Sequence, residues 1–296
     1  TRNGERFLKE QLESYRAQTW PHWQLLVSDD GSTDGTRALV EAFAQSVPQR
    51  VVLRSGPQKG FWQNFMALAR AGECQGDLFA FSDQDDIWHP EKLARAAAWF
   101  ERVPASTPAL YFSRTALIDD DGAPIGFAPL FPREPCFRNA LVQNIGGGNT
   151  MTFNRAAREL IRLADDSVEI VSHDWWAYQI VSGAGGLTYY DPWPGVQYRQ
   201  HGSNIVGSNA GLRARLTRLR AFQGGRMQRW NDVNLAALNR FRDRLTPENR
   251  AILDRFAAAR RAPPTQRVAL LRQSGVYRQS AIENAGLYLG AQFGRV

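Results

Sequence analysis

Two short apolar runs in this chain each break off into a cluster of carboxylates. Leu78-Phe79-Ala80-Phe81 leads into Ser82-Asp83-Gln84-Asp85-Asp86, and Gln24-Leu25-Leu26-Val27 leads into Ser28-Asp29-Asp30-Gly31-Ser32-Thr33-Asp34-Gly35. Each run has the length and residue types of a buried strand, and helical spacing follows each, over Thr36 to Ala44 and over Pro90 to Arg102. Further strands are expected at Val51–Leu53, Ala109–Ser113, Met151–Phe153, Leu187–Tyr190 and Val196–His201, with further helices over 5–18, 61–71, 155–164 and from His173. Asp119-Asp120-Asp121-Gly122 reads as a turn ahead of a Pro-rich loop. Strands alternating with helices of this length predict an α/β fold, a mostly parallel mixed sheet flanked by helices in the Rossmann manner. Ligands bind such sheets outside the carboxyl ends of the strands, where both acidic loops fall. The chain opens on Thr1-Arg2-Asn3-Gly4 and a helix, so a first strand of about five or six residues is expected to be missing from the sequence.

Three carboxylates within four residues, Asp83, Asp85 and Asp86, repel one another and cannot all be buried unpaired. A divalent cation resolves that repulsion, and Mg²⁺ or Mn²⁺ suits a site of one or two carboxylates completed by substrate phosphates. An isolated acidic run also suits a solvated helix start, but here an apolar strand precedes it and Ile87-Trp88-His89-Pro90 follows. In the Asp29 loop, glycines allow a tight turn and a carboxylate after a strand can accept hydrogen bonds from a base or ribose; the same residues would also cap an ordinary connection. Ser172-His173-Asp174-Trp175-Trp176 sets a carboxylate beside two indole rings. That suits a sugar site with a base for a hydroxyl proton, or equally a capped helix start with two core tryptophans. In Tyr198-Arg199-Gln200-His201, His201 is a candidate metal ligand and Arg199 a candidate phosphate contact, although a surface strand end carries the same residues.

Charge divides the chain. Residues 211–296 hold 17 Arg, no Lys and five acidic residues, a sum of +12, so the total of +7 leaves −5 for residues 1–210. Only three Lys stand against 33 Arg in the whole chain, a bias that lowers the weight of any single Arg. The basic tail is helical in pattern, with Leu212, Leu216, Leu219 and Phe222 on one stripe and Arg213, Arg215, Arg218 and Arg220 on other faces. It suits either a solvated appendage or docking on an anionic membrane; with no recognised nucleic-acid module beside it, nucleic acid is not an expected partner. There is no run of about 18 apolar residues. With no leader pattern and only Cys74 and Cys136, the expected place is a reducing cytoplasm, with peripheral contact at the inner face of the plasma membrane.

Together the four motifs resemble glycosyltransferase family 2, inverting enzymes of GT-A fold, and are most similar to the bacterial branch that includes rhamnosyltransferases of surface polysaccharide assembly. The resemblance covers about residues 1–205. It implies a GT-A domain over 1–208, with a nucleotide-binding half at about 1–105 and an acceptor half at about 106–208, and a basic helical extension over 209–296. Thr1, Asn3, Asp29, Asp30, Asp83 and Arg199 are then expected on the nucleotide sugar, and Asp85, His201 and Asp83 on Mg²⁺ or Mn²⁺. Asp174 is expected as the base, with Gly147, Gly148, Asn149, Trp175 and Trp176 on the acceptor side. The implied reaction is metal-assisted, inverting transfer from a nucleoside-diphosphate sugar, dTDP-rhamnose by resemblance, to a glycan or lipid-linked glycan. Competing readings are a nucleotidyltransferase, although no Gly-rich activation loop with Arg or Lys is visible near the N-terminus, and a non-catalytic sugar-binding protein.

Overall fold

The computed structural model describes residues 1–201 and 225–296. The stripe at Leu212, Leu216, Leu219 and Phe222, its arginines and the boundary at 208/209 lie outside the described residues.

Helix α1 (Glu5–Arg16) buries Leu8, Leu12 and Tyr15 on one side, a spacing of one apolar face. That face packs with Val40 and Phe43 of α2 (Thr36–Ser46) and with Trp88 and Val196 in a small apolar cluster. Beside it, β1 (Leu25–Asp29) and β2 (Val51–Ser55) pair in parallel, the βαβ unit that the sequence predicts. Thr1 makes the two backbone bonds of a parallel neighbour around Asp29: its N–H donates to the Ser28 carbonyl at 2.6 Å, and its carbonyl accepts from Asp30 at 2.8 Å. Helix α3 (Phe61–Arg70) leads to the second sheet.

That sheet runs in the order β3 (Leu78–Ala80), β7 (Met151–Asn154), β5 (Ala109–Ile118), β8 (Leu187–Arg199), β4 (Ile87–Trp88), with β6 (Pro124–Phe127) on β5. β5 and β8 pair in parallel, whereas β3–β7, β5–β7, β4–β8 and β5–β6 are antiparallel. The sheet is therefore mixed as expected but less parallel than βαβ alternation implies, because β7 runs between β3 and β5 in the opposite sense. The two strands expected at 187–190 and 196–201 are one long strand. Its register against β5 slips between Ser113 and Thr115, opposite Asp191-Pro192-Trp193-Pro194, where proline cannot donate to a ladder. Between these strands lie α4 (Lys92–Phe100), α5 (Phe137–Ala140), α6 (Arg155–Ile161) and α7 (His173–Gly183).

The C-terminal helices complete the main core. From α8 (Arg226–Arg240), α9 (Pro247–Arg261), α10 (Pro264–Ser274) and α11 (Ala281–Gln292), Leu238, Leu253, Phe256, Leu271 and Leu287 share one apolar cluster with Phe112, Leu141, Trp176 and Ile180. Of the two readings of the basic tail, a solvated appendage does not describe residues 226–296. Phe256→Ala, at a fully buried position, is expected to cost about 3–5 kcal/mol and to lower the protection of α7 amides along with those of α9. Denaturant unfolding and hydrogen exchange measure both; protection lost in α9 alone would show the tail to be a separate unit.

Candidate active site

The acid loop after β3 is fastened from two sides. Gln11 Nε2 and Tyr15 Oη, both on α1, donate to Ser82 Oγ at 3.0 and 2.7 Å. On the other side Gln84 Oε1 accepts from Thr1 Oγ1 at 2.5 Å and from the Arg2 N–H at 2.7 Å, while its amide donates back to the Arg2 carbonyl. A methyl on Gly4 would stand 2.9 Å from Gln84 Cδ, so only glycine lets the first loop lie this close.

Asp86 faces inward. Its Oδ1 accepts from the Arg199 N–H at 3.1 Å and its Oδ2 from the Asn149 amide. Burial raises its pKa well above the carboxylate range and the charges of Asp83 and Asp85 add to the shift, while the two donors oppose it. Lys92, buried on α4 with its ammonium 3.7 Å from the Trp88 ring centre, has no hydrogen-bond partner among the described residues. Burial lowers it to about 7, against the pull of Asp86. Asp83 is half-buried; burial first, then the charges of Asp85 and Asp174, push it up to about 7. Asp174, of the third motif, is near enough for its charge to act on Asp83. Asp85 meets the fourth motif, with its Oδ2 2.8 Å from His201 Nε2 and the His201 ring packed 5.1 Å from that of Phe7.

Asp174 sits in the first turn of α7, where carboxylates favour helix starts. Its Oδ1 accepts from Ser172 Oγ and from the Trp175 N–H at 2.7 Å; Oδ2 has no hydrogen-bond partner among the described residues. His173 beside it stacks on Phe65 at 3.9 Å and meets Phe81 edge-on, with neither ring nitrogen hydrogen-bonded. Burial lowers its pKa to about 4, the Asp174 charge opposing, so the imidazole is neutral at pH 7. Gly148 is pressed against it: a methyl there would stand 2.3 Å from His173 Nε2.

In the first acidic loop Asp29 Oδ1 accepts from Ser32 Oγ at 2.5 Å, and its Oδ2 pairs with Arg37 at 3.3 Å. Asn3, at a positive φ of 48°, accepts from the Thr33 N–H on its side-chain oxygen, and its own N–H donates to Ser32 Oγ at 2.9 Å. Thr1, Asn3, Asp29 and Asp83 thus lie on connected loops.

Several expected site residues are placed otherwise. Arg199 is engaged by protein groups. It is 1% exposed, with Nε on the Asp85 carbonyl at 3.1 Å, one terminal nitrogen on the Asp120 carbonyl at 2.9 Å and the other on Glu10 at 2.5 Å. Asp30 is buried, its two oxygens taken by the Gln58 and Gly60 N–H groups, so it holds the 56–60 loop in place. Trp175 and Trp176 offer no ring to an acceptor: they are 4% and 1% exposed, and their indole N–H groups donate to the carbonyls of Ala140 and Ile161. Asn149 clamps Asp86 instead of lining an open face, and of the glycines only Gly147 is exposed. Sequence reasoning passed over Glu10, Gln11, Tyr15, Gln84 and Lys92. A polar Gln11 on the buried face of α1 and a Lys in a chain of 33 Arg were the signals available.

Asp85 and His201 fit a divalent cation. Two ligands at about 2.1 Å and right angles stand about 3 Å apart, close to their 2.8 Å, and carboxylate with imidazole suits Mn²⁺ or Mg²⁺. Among the described residues no third His, Cys, Asp or Glu joins them, Asp83 included, so a cation held there would need further ligands from substrate or water.

The family model of glycosyl transferase family 2 matches residues 1–160. The dTDP-rhamnosyl transferase RfbG of Shigella flexneri is 28% identical over 236 residues, 74% of this chain and 77% of its own length. Among solved structures, S. aureus TarS 1-349 is similar at a TM-score of 0.54 and 17% identity, over 93% of this chain and 78% of that one. The mannosyltransferase PcManGT from Pyrobaculum calidifontis in complex with GDP-Man and Mn²⁺ gives 0.53 and 19%, over 98% of this chain and 76% of that one. Both structural likenesses show the fold, which is that of GT-A glycosyltransferases.

The buried neutral His173 makes stability pH-dependent. Its folded pKa, about 4, lies below the ordinary 6.5, so its contribution is present above about pH 6.5 and is lost as pH falls towards 4. His173→Leu should remove that slope, narrowing the parent's advantage over the variant between about pH 7 and about pH 4 by roughly 3 kcal/mol. Denaturant titrations at the two pH values test it, and parallel pH dependences for both proteins would contradict it.

Proposed function

The chain belongs to glycosyl transferase family 2, and on that footing we propose that this glycosyltransferase moves a sugar from a nucleoside-diphosphate sugar to a hydroxyl of a glycan or lipid-linked glycan, with inversion, in bacterial surface polysaccharide synthesis. The likeness to RfbG favours dTDP-L-rhamnose as donor. The observation that carries the reading is the placing of Asp174, with one oxygen tied by Ser172 and Trp175, the other open, and its charge felt at Asp83 across the site.

In this reading Asp174 Oδ2 takes the proton of the acceptor hydroxyl as that oxygen attacks the sugar carbon on the face opposite the leaving group. Pinning of Oδ1 aims the free oxygen and keeps its orientation from being lost to rotation. Thr1, Asn3 and Asp29 receive the base and ribose, and Asp83 faces the ribose and sugar. Gly147, exposed ahead of the short turn Gly148–Thr150, gives an acceptor room to approach. Asp85 and His201 would hold Mg²⁺ or Mn²⁺, which supplies positive charge to the departing nucleoside diphosphate; the Mn²⁺ in the PcManGT complex supports this choice. Arg199, closed off by its own partners, keeps Asp85 in place by its backbone.

Asp174→Asn is expected to lower kcat about 10²- to 10⁴-fold while the KM for donor stays within a few-fold. Asp85→Ala and His201→Ala should raise the Mn²⁺ concentration needed for half-maximal rate. Steady-state transfer assays measure both, and an Asp174→Asn enzyme as fast as the parent would remove Asp174 from the reaction. Thermal shift with dTDP-rhamnose against UDP- and GDP-sugars tests the donor separately, since the ligand that binds raises the midpoint. Stabilisation by a UDP- or GDP-sugar alone would overturn the rhamnose reading.

A further inference from the structure

Helix α11 is apolar on both sides. Its inner side, Leu287, Gly290 and Ala291, is buried against the core. Its outer side carries Ile282, Leu289 and Phe293, exposed by 86%, 56% and 66%, with Ala285 between them. These positions are spaced by seven and four residues, which places them along one stripe. No charge interrupts it. The one acidic residue of the helix, Glu283, is drawn back into a capping box with Ser280 and an ion pair with Arg278 at 3.3 Å. A helix hydrophobic all round is normally covered all round.

Around this stripe the charge is of one sign. Residues 255–296 contain seven Arg and a single acidic residue, Glu283. Three of the arginines border α11 itself. Arg272 lies over the Tyr288 ring at 5.2 Å, Arg278 pairs with Glu283, and Arg267 is near enough to the helix end that a methyl on Gly294 would stand 2.7 Å from its guanidinium. An uncharged apolar stripe inside a ring of arginines is complementary to one kind of surface, with acyl chains below and phosphates at the rim. The helix has 12 residues, a length of about 18 Å against about 30 Å of hydrocarbon, so it cannot span and must lie flat. Among the described residues no helix is long and apolar enough to cross a membrane.

We propose that α11 docks the protein on an anionic bilayer, with Ile282, Leu289 and Phe293 at the acyl boundary and Arg267, Arg272 and Arg278 on lipid phosphates. The surface is distinct from the acid loop and its occupancy does not depend on which sugar is transferred. It assigns the membrane contact to a folded face, where the sequence suggested only a basic tail.

The test is co-sedimentation of the full chain with vesicles of phosphatidylcholine containing about one-third phosphatidylglycerol, against phosphatidylcholine alone, at low and high salt. The parent should bind the anionic vesicles preferentially and lose binding as salt rises. Replacing Ile282, Leu289 and Phe293 together by Ser should weaken binding by at least about ten-fold, and Arg272→Gln by about five-fold. Both variants should keep the parent's unfolding midpoint and its turnover of a soluble acceptor, since all four side chains are exposed. A parent that ignores anionic vesicles, or a triple variant that binds them as the parent does, would overturn the proposal. So would a parent dimer in gel filtration that the triple variant converts to monomer without a change in vesicle binding, because a second copy would then cover the stripe.

Discussion

Everything around the site follows from taking carboxylates out of water. Asp83, Asp85, Asp86 and Asp174 converge, and desolvation with mutual repulsion is strong enough to lift Asp83 to about 7 and Asp86 well above its ordinary range. The protein answers this unevenly. Asp86, the innermost, is given the Asn149 amide, the Arg199 N–H and a buried lysine close by. Asp85 is given an imidazole. The Asp83 carboxylate and the outer oxygen of Asp174 accept no hydrogen bond among the described residues.

Arg199 belongs to this arrangement more than to the substrate. Its guanidinium joins α1 through Glu10, the acid loop through the Asp85 carbonyl and the β5–β6 turn through Asp120. A planar fork with donors in several directions can do this where a lysine could not. Helix α1 reinforces it from the same face, with Phe7 under the guanidinium and Gln11 and Tyr15 on Ser82.

What the sequence made legible was whatever depends on local pattern. Apolar runs ending in carboxylates located β1 and β3, and spacing located α1, α2, α3 and α7. Pairing sense was not legible: Met151–Phe153 reads as a strand whichever way it runs, and only the packed sheet sets it between β3 and β5 as an antiparallel neighbour. Nor does periodicity show that Asp191-Pro192-Trp193-Pro194 interrupts one strand instead of separating two. Side-chain roles failed wherever the partner is remote. Trp175 and Trp176 look equally suited to a sugar or a core until Ala140 and Ile161 are seen to accept their N–H groups. Asp30 looks like Asp29 until loop 56–60 closes on it. By contrast, the convergence of Asp85 with His201 was readable, because resemblance over a whole motif set carries distance information that single residues lack.

The reach of Arg199 also bears on the order in which the molecule comes together. Its bonds to Glu10 and to Asp85 close loops of 189 and 114 residues. Contacts so far apart in sequence form late, after local helices and hairpins have settled, because the entropy of closing such loops must be met first. During synthesis the acid loop therefore leaves the ribosome well before the strand that steadies it. A chain that ends before β8 displays the carboxylates but lacks the Arg199 contacts that steady Asp85 and Asp86.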